Sequence, residues 1–186
     1  MLADVRQNNQ SLAEKAKRSE KALRRDAELQ RKMDEYMKSE FVDRKEWEVR
    51  KLSEVLAQDQ LEMSWTPADG NCLYTSVERA LQLPGGSIRR RLADYIAGSA
   101  QAREQVKNVH EDLDVYLAGL RGTEWGDELE IALLADLLNV QVRVYNAFMT
   151  PLVYGTNTEK QISIVFCNFQ IPGASHYNGT KPLAQK

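Results

Sequence analysis

No glycine and no proline precedes Pro67, and the first glycine is Gly70. Average usage is about one Gly or Pro in eight residues, so the gap marks a long stretch without a chain breaker. That stretch is rich in Ala, Glu, Lys, Arg, Gln and Leu, which predicts helix over residues 10–60. Opposite charges four apart, such as Glu14–Arg18 and Glu28–Lys32, support it. A 3,4 spacing runs through Leu2, Val5, Asn9, Leu12, Ala16, Ser19 and Leu23, then meets Asp26 and Gln30 before Met33 and Met37. Such a seam makes only a weak coiled coil. The end of the stretch is more apolar, with Trp47, Leu52, Val55, Leu56 and Leu61, and is expected to dock on the domain C-terminal to it.

Other scarcities exclude whole classes. No run of 18 apolar residues is present, so no membrane-spanning helix is expected. The first residues, Met1 to Arg6, lack the apolar core of a signal peptide. Two cysteines (Cys72, Cys167) and two histidines (His110, His176) form neither a disulfide framework nor a zinc-ligand spacing, so no metal is expected. Charge has no dominant sign, with 14 Lys/Arg against 13 Asp/Glu in residues 1–60 and 11 against 14 in the rest. Neither nucleic acid nor a membrane surface is therefore an expected partner. These features fit a reducing compartment, cytoplasmic or nuclear, where a cysteine stays a free thiol.

From Pro67 the texture changes. Residues 72–83 have helical spacing and stop at Pro84-Gly85-Gly86, and Ser87 is placed to cap a second helix through Ala97. Further helices are expected at 102–108 and 111–120. Residues 126–139 make the clearest amphipathic helix, with acids in the first turn where the dipole favours them. Residues 140–146 alternate with period two and 161–167 are apolar and β-branched, so both read as strands. A short final strand is expected around His176 and Tyr177. The expectation is an α+β domain over 61–186, a small β-sheet packed among helices, preceded by a long charged helical segment over 1–60.

Two places in that domain carry chemistry. Asp69-Gly70-Asn71 is a turn-forming tripeptide leading straight into a helix that begins at Cys72. A thiol there sits at the positive end of the helix dipole, which stabilises the thiolate. Gly70 permits a bend that aims several N–H groups at one point, as an oxyanion site requires. A small apolar core residue is the commoner fate of a cysteine, and position alone does not decide between the two. Cys167, inside Val165-Phe166-Cys167-Asn168-Phe169, has no turn or helix start beside it and reads as core. Thiol catalysis also needs a histidine base and a group to orient it. His110 precedes Glu111-Asp112 at a helix start and reads as an exposed polar residue. His176 comes after a Pro172-Gly173 turn and shares a strand face with Asn178, whose amide oxygen can accept the imidazole N–H.

Asp69-Gly70-Asn71-Cys72-Leu73-Tyr74, then Trp125-Gly126-Asp127-Glu128-Leu129-Glu130, then His176-Tyr177-Asn178, in that order, resemble the ovarian-tumour (OTU) family of deubiquitinating cysteine proteases. The resemblance covers residues 60–183. With the charged segment ahead of it, the chain looks like the sixth numbered OTU-domain subgroup, which has an N-terminal coiled coil. The resemblance implies a papain-like cysteine protease of OTU type. It implies Cys72 as nucleophile, His176 as base, Asn178 as the orienting residue, and Asp69 shaping an oxyanion loop at Gly70 and Asn71. Trp125 would support the site, with core packing as its expected role. The implied reaction is acyl transfer from the C-terminal glycine of ubiquitin, with no metal or organic cofactor and with ubiquitin or ubiquitin chains as partner. An association with the translation machinery is implied by the resemblance alone.

Two departures are visible. Asp127 stands where the motif often has a second glycine, and Gly179-Thr180 come after the His motif in place of the more usual Ser-Val. Neither touches the candidate catalytic pair, so they bear on specificity rather than activity. The alternatives are a protease for another ubiquitin-like modifier, or a catalytically weak ubiquitin-binding scaffold acting through its N-terminal helix.

Overall fold

The computed structural model describes residues 43–184 and, before them, 24, 25, 27, 28, 31 and 32. The chain divides into two compact units, Met1–Val42 and Asp43–Lys186. In the first, Glu28 and Lys32 are helical and pair at 2.8 Å, one helical turn apart. The coiled-coil seam traced from the sequence lies outside the described residues.

The second unit starts with α1 (Arg44–Gln58), capped by Asp43, whose carboxylate accepts from the backbone of Lys45 and Glu46. Next come β1 (Leu61–Ser64), α2 (Cys72–Ala80), α3 (Ile88–Gly98), α4 (Ala100–Lys107), α5 (Leu113–Arg121) and α6 (Glu128–Leu138). The chain ends in β2 (Gln141–Tyr145), β3 (Leu152–Tyr154), β4 (Gln161–Ile171) and β5 (Ala174–Pro182). The five strands form one sheet in the order β1-β5-β4-β2-β3, with β2 and β4 parallel and the other pairs antiparallel.

The period-two alternation of β4 divides the sheet. Ile162, Ile164 and Phe166 join the core formed with α2, α3 and α6, whereas Val165 and Cys167 point to the other face. Glu48 of α1 reaches that other face. Its buried carboxylate accepts from Asn168 N (2.6 Å), Asn168 Nδ2 (3.1 Å) and Phe169 N (2.9 Å), just where β4 leaves regular pairing with β5. Leu52 and Leu56 on the same helix are fully buried, and Trp47 stacks on Phe148 at 5.2 Å. The docking of α1 thus places it in the sheet-bearing unit, ahead of the boundary at residue 60 that composition alone suggests.

This arrangement predicts a sharp difference between two truncations. Removing residues 1–42 should leave a folded unit. Removing 1–60 strips Glu48, Leu52 and Leu56, and leaves Asn168 and Phe169 amides without their acceptor, each costing about 1–3 kcal/mol. Thermal unfolding of both proteins checks this; a 61–186 fragment melting as cooperatively as 43–186 would refute it.

Buried carboxylates also join the helices. Glu78 on α2 accepts from the amides of Gly86, Ser87 and Ile88 (2.8–2.9 Å), capping α3 from outside. Glu130 on α6 accepts from the Asp127 amide at 2.7 Å and from the Tyr116 hydroxyl.

Candidate active site

The tripeptide before Cys72 folds as its residues dictate. Gly70 takes φ +82°, and a Cβ there would stand 2.8 Å from the Thr123 carbonyl oxygen, so glycine is required on both counts. Asp69 Oδ1 accepts from the Asn71 amide at 2.9 Å, an Asx-turn that closes the bend. That bond occupies the Asn71 N–H. The amides of Cys72, Leu73 and Tyr74, in the first turn of α2, have no intrahelical acceptor and remain the donors on offer.

Cys72 opens on a cleft of about 480 Å³ lined also by Trp125, Gly126, Asp127, Phe166, Gly173, Ala174, Ser175 and Tyr177. Trp125, expected as a core residue, is 57% exposed at this cleft. Beside it, a Cβ on Gly126 would fall 2.6 Å from Leu73 Cδ2 and 3.0 Å from Tyr74 Oη. The backbone is pressed against α2 there, which leaves no room for a side chain at 126. Asp127 is the N-cap residue of α6 and puts a carboxylate in the cleft. Burial first, and Asp127 second, push the Tyr177 phenol well above its usual range.

His176 lies elsewhere. Cross-strand partners share a face, and the pairs are Phe166 with Tyr177 and Cys167 with His176. Tyr177 and Phe166 line the cleft with Cys72, so His176 and Asn178 project to the face of Cys167. His176 is 1% exposed, and its Nε2 lies 2.9 Å from the Thr66 carbonyl oxygen. A carbonyl only accepts, so in the neutral ring Nε2 carries the proton and Nδ1 the lone pair. Asn178 Oδ1 accepts from the Thr66 amide at 3.0 Å, and its Nδ2 donates to Gln170 Oε1 and, at 3.4 Å, to Cys167 Sγ. His176 and Asn178 therefore hold the two sides of Thr66. Among the described residues no hydrogen bond joins Cys72 to His176 or His176 to Asn178.

Thr66, which the sequence offers no reason to single out, links both halves. Ser76 Oγ donates its one proton to the Cys72 carbonyl (2.7 Å), so across the 3.1 Å contact Thr66 Oγ1 is the donor to Ser76. Thr66 Oγ1 accepts in turn from the Gly179 amide at 3.3 Å. Cys167 behaves as a core residue: burial, with the Glu48 charge second, pushes its thiol up to about 12. His110, expected as an exposed polar residue, is exposed and stacks on Tyr116 at 4.6 Å. Among the described residues no group of three His, Cys, Asp or Glu side chains is placed to hold a metal ion.

An α+β fold with a cysteine at a helix start beside a cleft defines a class of thiol proteases, and the comparison with known families places the chain within it. The model of the OTU-like cysteine protease family matches residues 67–177, and the chain belongs to that family. It is similar to Deubiquitinase OTUD6B of Xenopus tropicalis, 26% identical over 196 residues that cover 97% of this chain and 66% of that protein. It is similar also to Ubiquitin thioesterase otu2 of Schizosaccharomyces pombe, 30% identical over 151 residues that cover 73% and 50%. The chain spans half to two thirds of the length of these relatives. The solved OTU domain of OTUD1 matches with a TM-score of 0.61 at 17% identity, over 74% of this chain and 96% of that one, a likeness of fold. The OTU-type α+β fold expected from the sequence is the one observed.

Proposed function

We propose that the chain is a thiol-dependent deubiquitinase that hydrolyses the bond after the C-terminal glycine of ubiquitin. The observation that carries this reading is the placement of Cys72, at the start of α2 and on the cleft, within an OTU-family chain. The names of the relatives support the substrate. In the proposed reaction Cys72 Sγ attacks the glycine carbonyl carbon while His176 takes the thiol proton. The tetrahedral oxyanion is met by the first-turn amides of α2. The C–N bond breaks and the proton passes from imidazolium to the leaving amine. Water, deprotonated by His176, then hydrolyses the thioester and restores the thiol.

His176 lies on the face of β5 turned away from the cleft that Cys72 lines, so the reading requires the start of β5 to reposition. Catalytic hydrogen bonds often form only in the complex with substrate. The irregular pairing between Cys167 and Ile171 is where such a shift can be absorbed, because one residue of slip exchanges the faces of His176 and Tyr177. Asp69, holding the Asn71 amide, shapes the loop, and Asn178 supports His176. Ubiquitin contacts are assigned to residues 100–122 and 147–160, where Val109, Val115 and Val153 stand exposed.

The test is covalent capture by ubiquitin bearing an electrophile in place of its terminal glycine. One adduct is expected, on Cys72. No adduct with ubiquitin but one with another modifier would move the substrate; none with any modifier from a folded sample would leave the binding scaffold.

A further inference from the structure

The nucleophile loop and the opposite rim of the cleft share one buried cation. Arg89, the second residue of α3, is 8% exposed. Its Nη2 donates to the Gly70 carbonyl at 2.6 Å, and its Nη1 to the carbonyls of Glu124 (2.8 Å) and Leu120 (3.2 Å). The guanidinium lies 4.1 Å over the Tyr74 ring, in the first turn of the nucleophile helix. Among the described residues every hydrogen bond of this side chain goes to a backbone carbonyl. Its Nε is buried without a partner, so no carboxylate fork accounts for its position.

The Gly70 carbonyl belongs to the same peptide unit as the Asn71 amide, and the two point opposite ways. Asp69 holds the amide end and Arg89 the carbonyl end, so this plane is fixed from both sides. Were it to turn over, the Gly70 oxygen would point where the Asn71 N–H now points, at the Asp69 carboxylate, and the loop that leads into Cys72 would have to rearrange. That loop sets the start of α2, whose first-turn amides are meant to attract the developing oxyanion. The other arm acts on the far rim: the Glu124 carbonyl immediately precedes Trp125, a lining residue. Lysine would not do the same, because a single ammonium lacks the planar fork that spans carbonyls of two loops.

We infer that Arg89 is a positioning residue of this site, which sets the Gly70–Asn71 peptide and the Trp125 rim for acyl transfer. The inference rests on the proposed thiol chemistry. Its test compares two reactions of Cys72 in the full chain, with Arg89→Lys and Arg89→Met. Hydrolysis of a fluorogenic C-terminal amide of ubiquitin passes through an oxyanion; alkylation by iodoacetamide does not. In Arg89→Lys kcat should fall about 10–100-fold, short of the 10²–10³ typical for deleting an oxyanion donor outright. KM and the alkylation rate should each stay within about threefold of the unsubstituted protein. Arg89→Met should lose at least as much kcat. Thermal unfolding identifies folded samples, and if Arg89→Met does not fold, Arg89→Lys decides. An unsubstituted protein inactive on the amide sinks the deubiquitinase reading and this inference with it. An active one sinks Arg89 alone if kcat is unchanged, if the loss lies in KM, if alkylation falls in step with kcat, or if neither variant folds.

Discussion

Cys72→Ala is expected to reduce ubiquitin hydrolysis by about 10⁴-fold or more, the scale on which removing a protease nucleophile acts. Ubiquitin affinity should stay close to that of the unsubstituted protein. Cys72 is 8% exposed, so its sulfur offers little surface to a bound substrate, and the change removes one atom from a chain otherwise held by α2 packing. The second cysteine makes the experiment decisive. Cys167 is buried on the other face of the sheet, with its thiol pushed up to about 12. A raised value means the neutral thiol persists at pH 8, and thiolate, not thiol, is the reacting species. In the unsubstituted protein a ubiquitin electrophile should therefore mark Cys72 and spare Cys167, and in Cys72→Ala it should mark nothing. Peptide mass spectrometry reads the position, and titration calorimetry the affinity. Substantial turnover in Cys72→Ala would remove this residue from its assigned role.

Much of the framework is legible in the chain before any coordinates. The helix starting at Cys72, the one that comes after Ser87 and the apolar run of β4 lie within a few residues of where periodicity and breakers place them. The elements that escape sequence reading do so through local weakness of signal. β1 and β3 are four and three residues long, and Leu61–Ser64 is an edge strand with no fully buried position to mark its period. β5 runs to Pro182, well past the His motif, because its pairing with β1 continues to Leu61. Sheet pairing over that distance in sequence is a tertiary fact. Cys72 and the Gly70 bend are readable because turn residues and a helix start adjoin in sequence. Thr66, Glu48, Glu78 and Arg89 are not, since each acts on backbone groups brought near by folding. The same-face rule correctly pairs His176 with Asn178, but it cannot say which face of the sheet they share. That depends on register against β4.

Graded losses across the His176 network should result from that register. His176→Ala removes the base and should cost about 10²–10⁴-fold in kcat. Asn178→Ala should be milder, about tenfold, because Asn178 makes no hydrogen bond to the imidazole and acts on the strand end through the Thr66 amide. Releasing the Thr66 amide in the interior should also cost about 1–3 kcal/mol of stability. Thr66→Val keeps both backbone bonds but removes Oγ1, leaving the Gly179 amide without its acceptor and freeing Ser76 from its tie to the β1 end. It should destabilise by a similar amount and lower kcat least, because Thr66 Oγ1 makes no hydrogen bond to the imidazole. The three variants are to be compared by kcat, KM and thermal unfolding in one assay. A near-total loss in Asn178→Ala with an intact fold would show that it contacts the imidazole directly in the complex with substrate. No loss in that variant would show that a group other than Asn178 orients the ring.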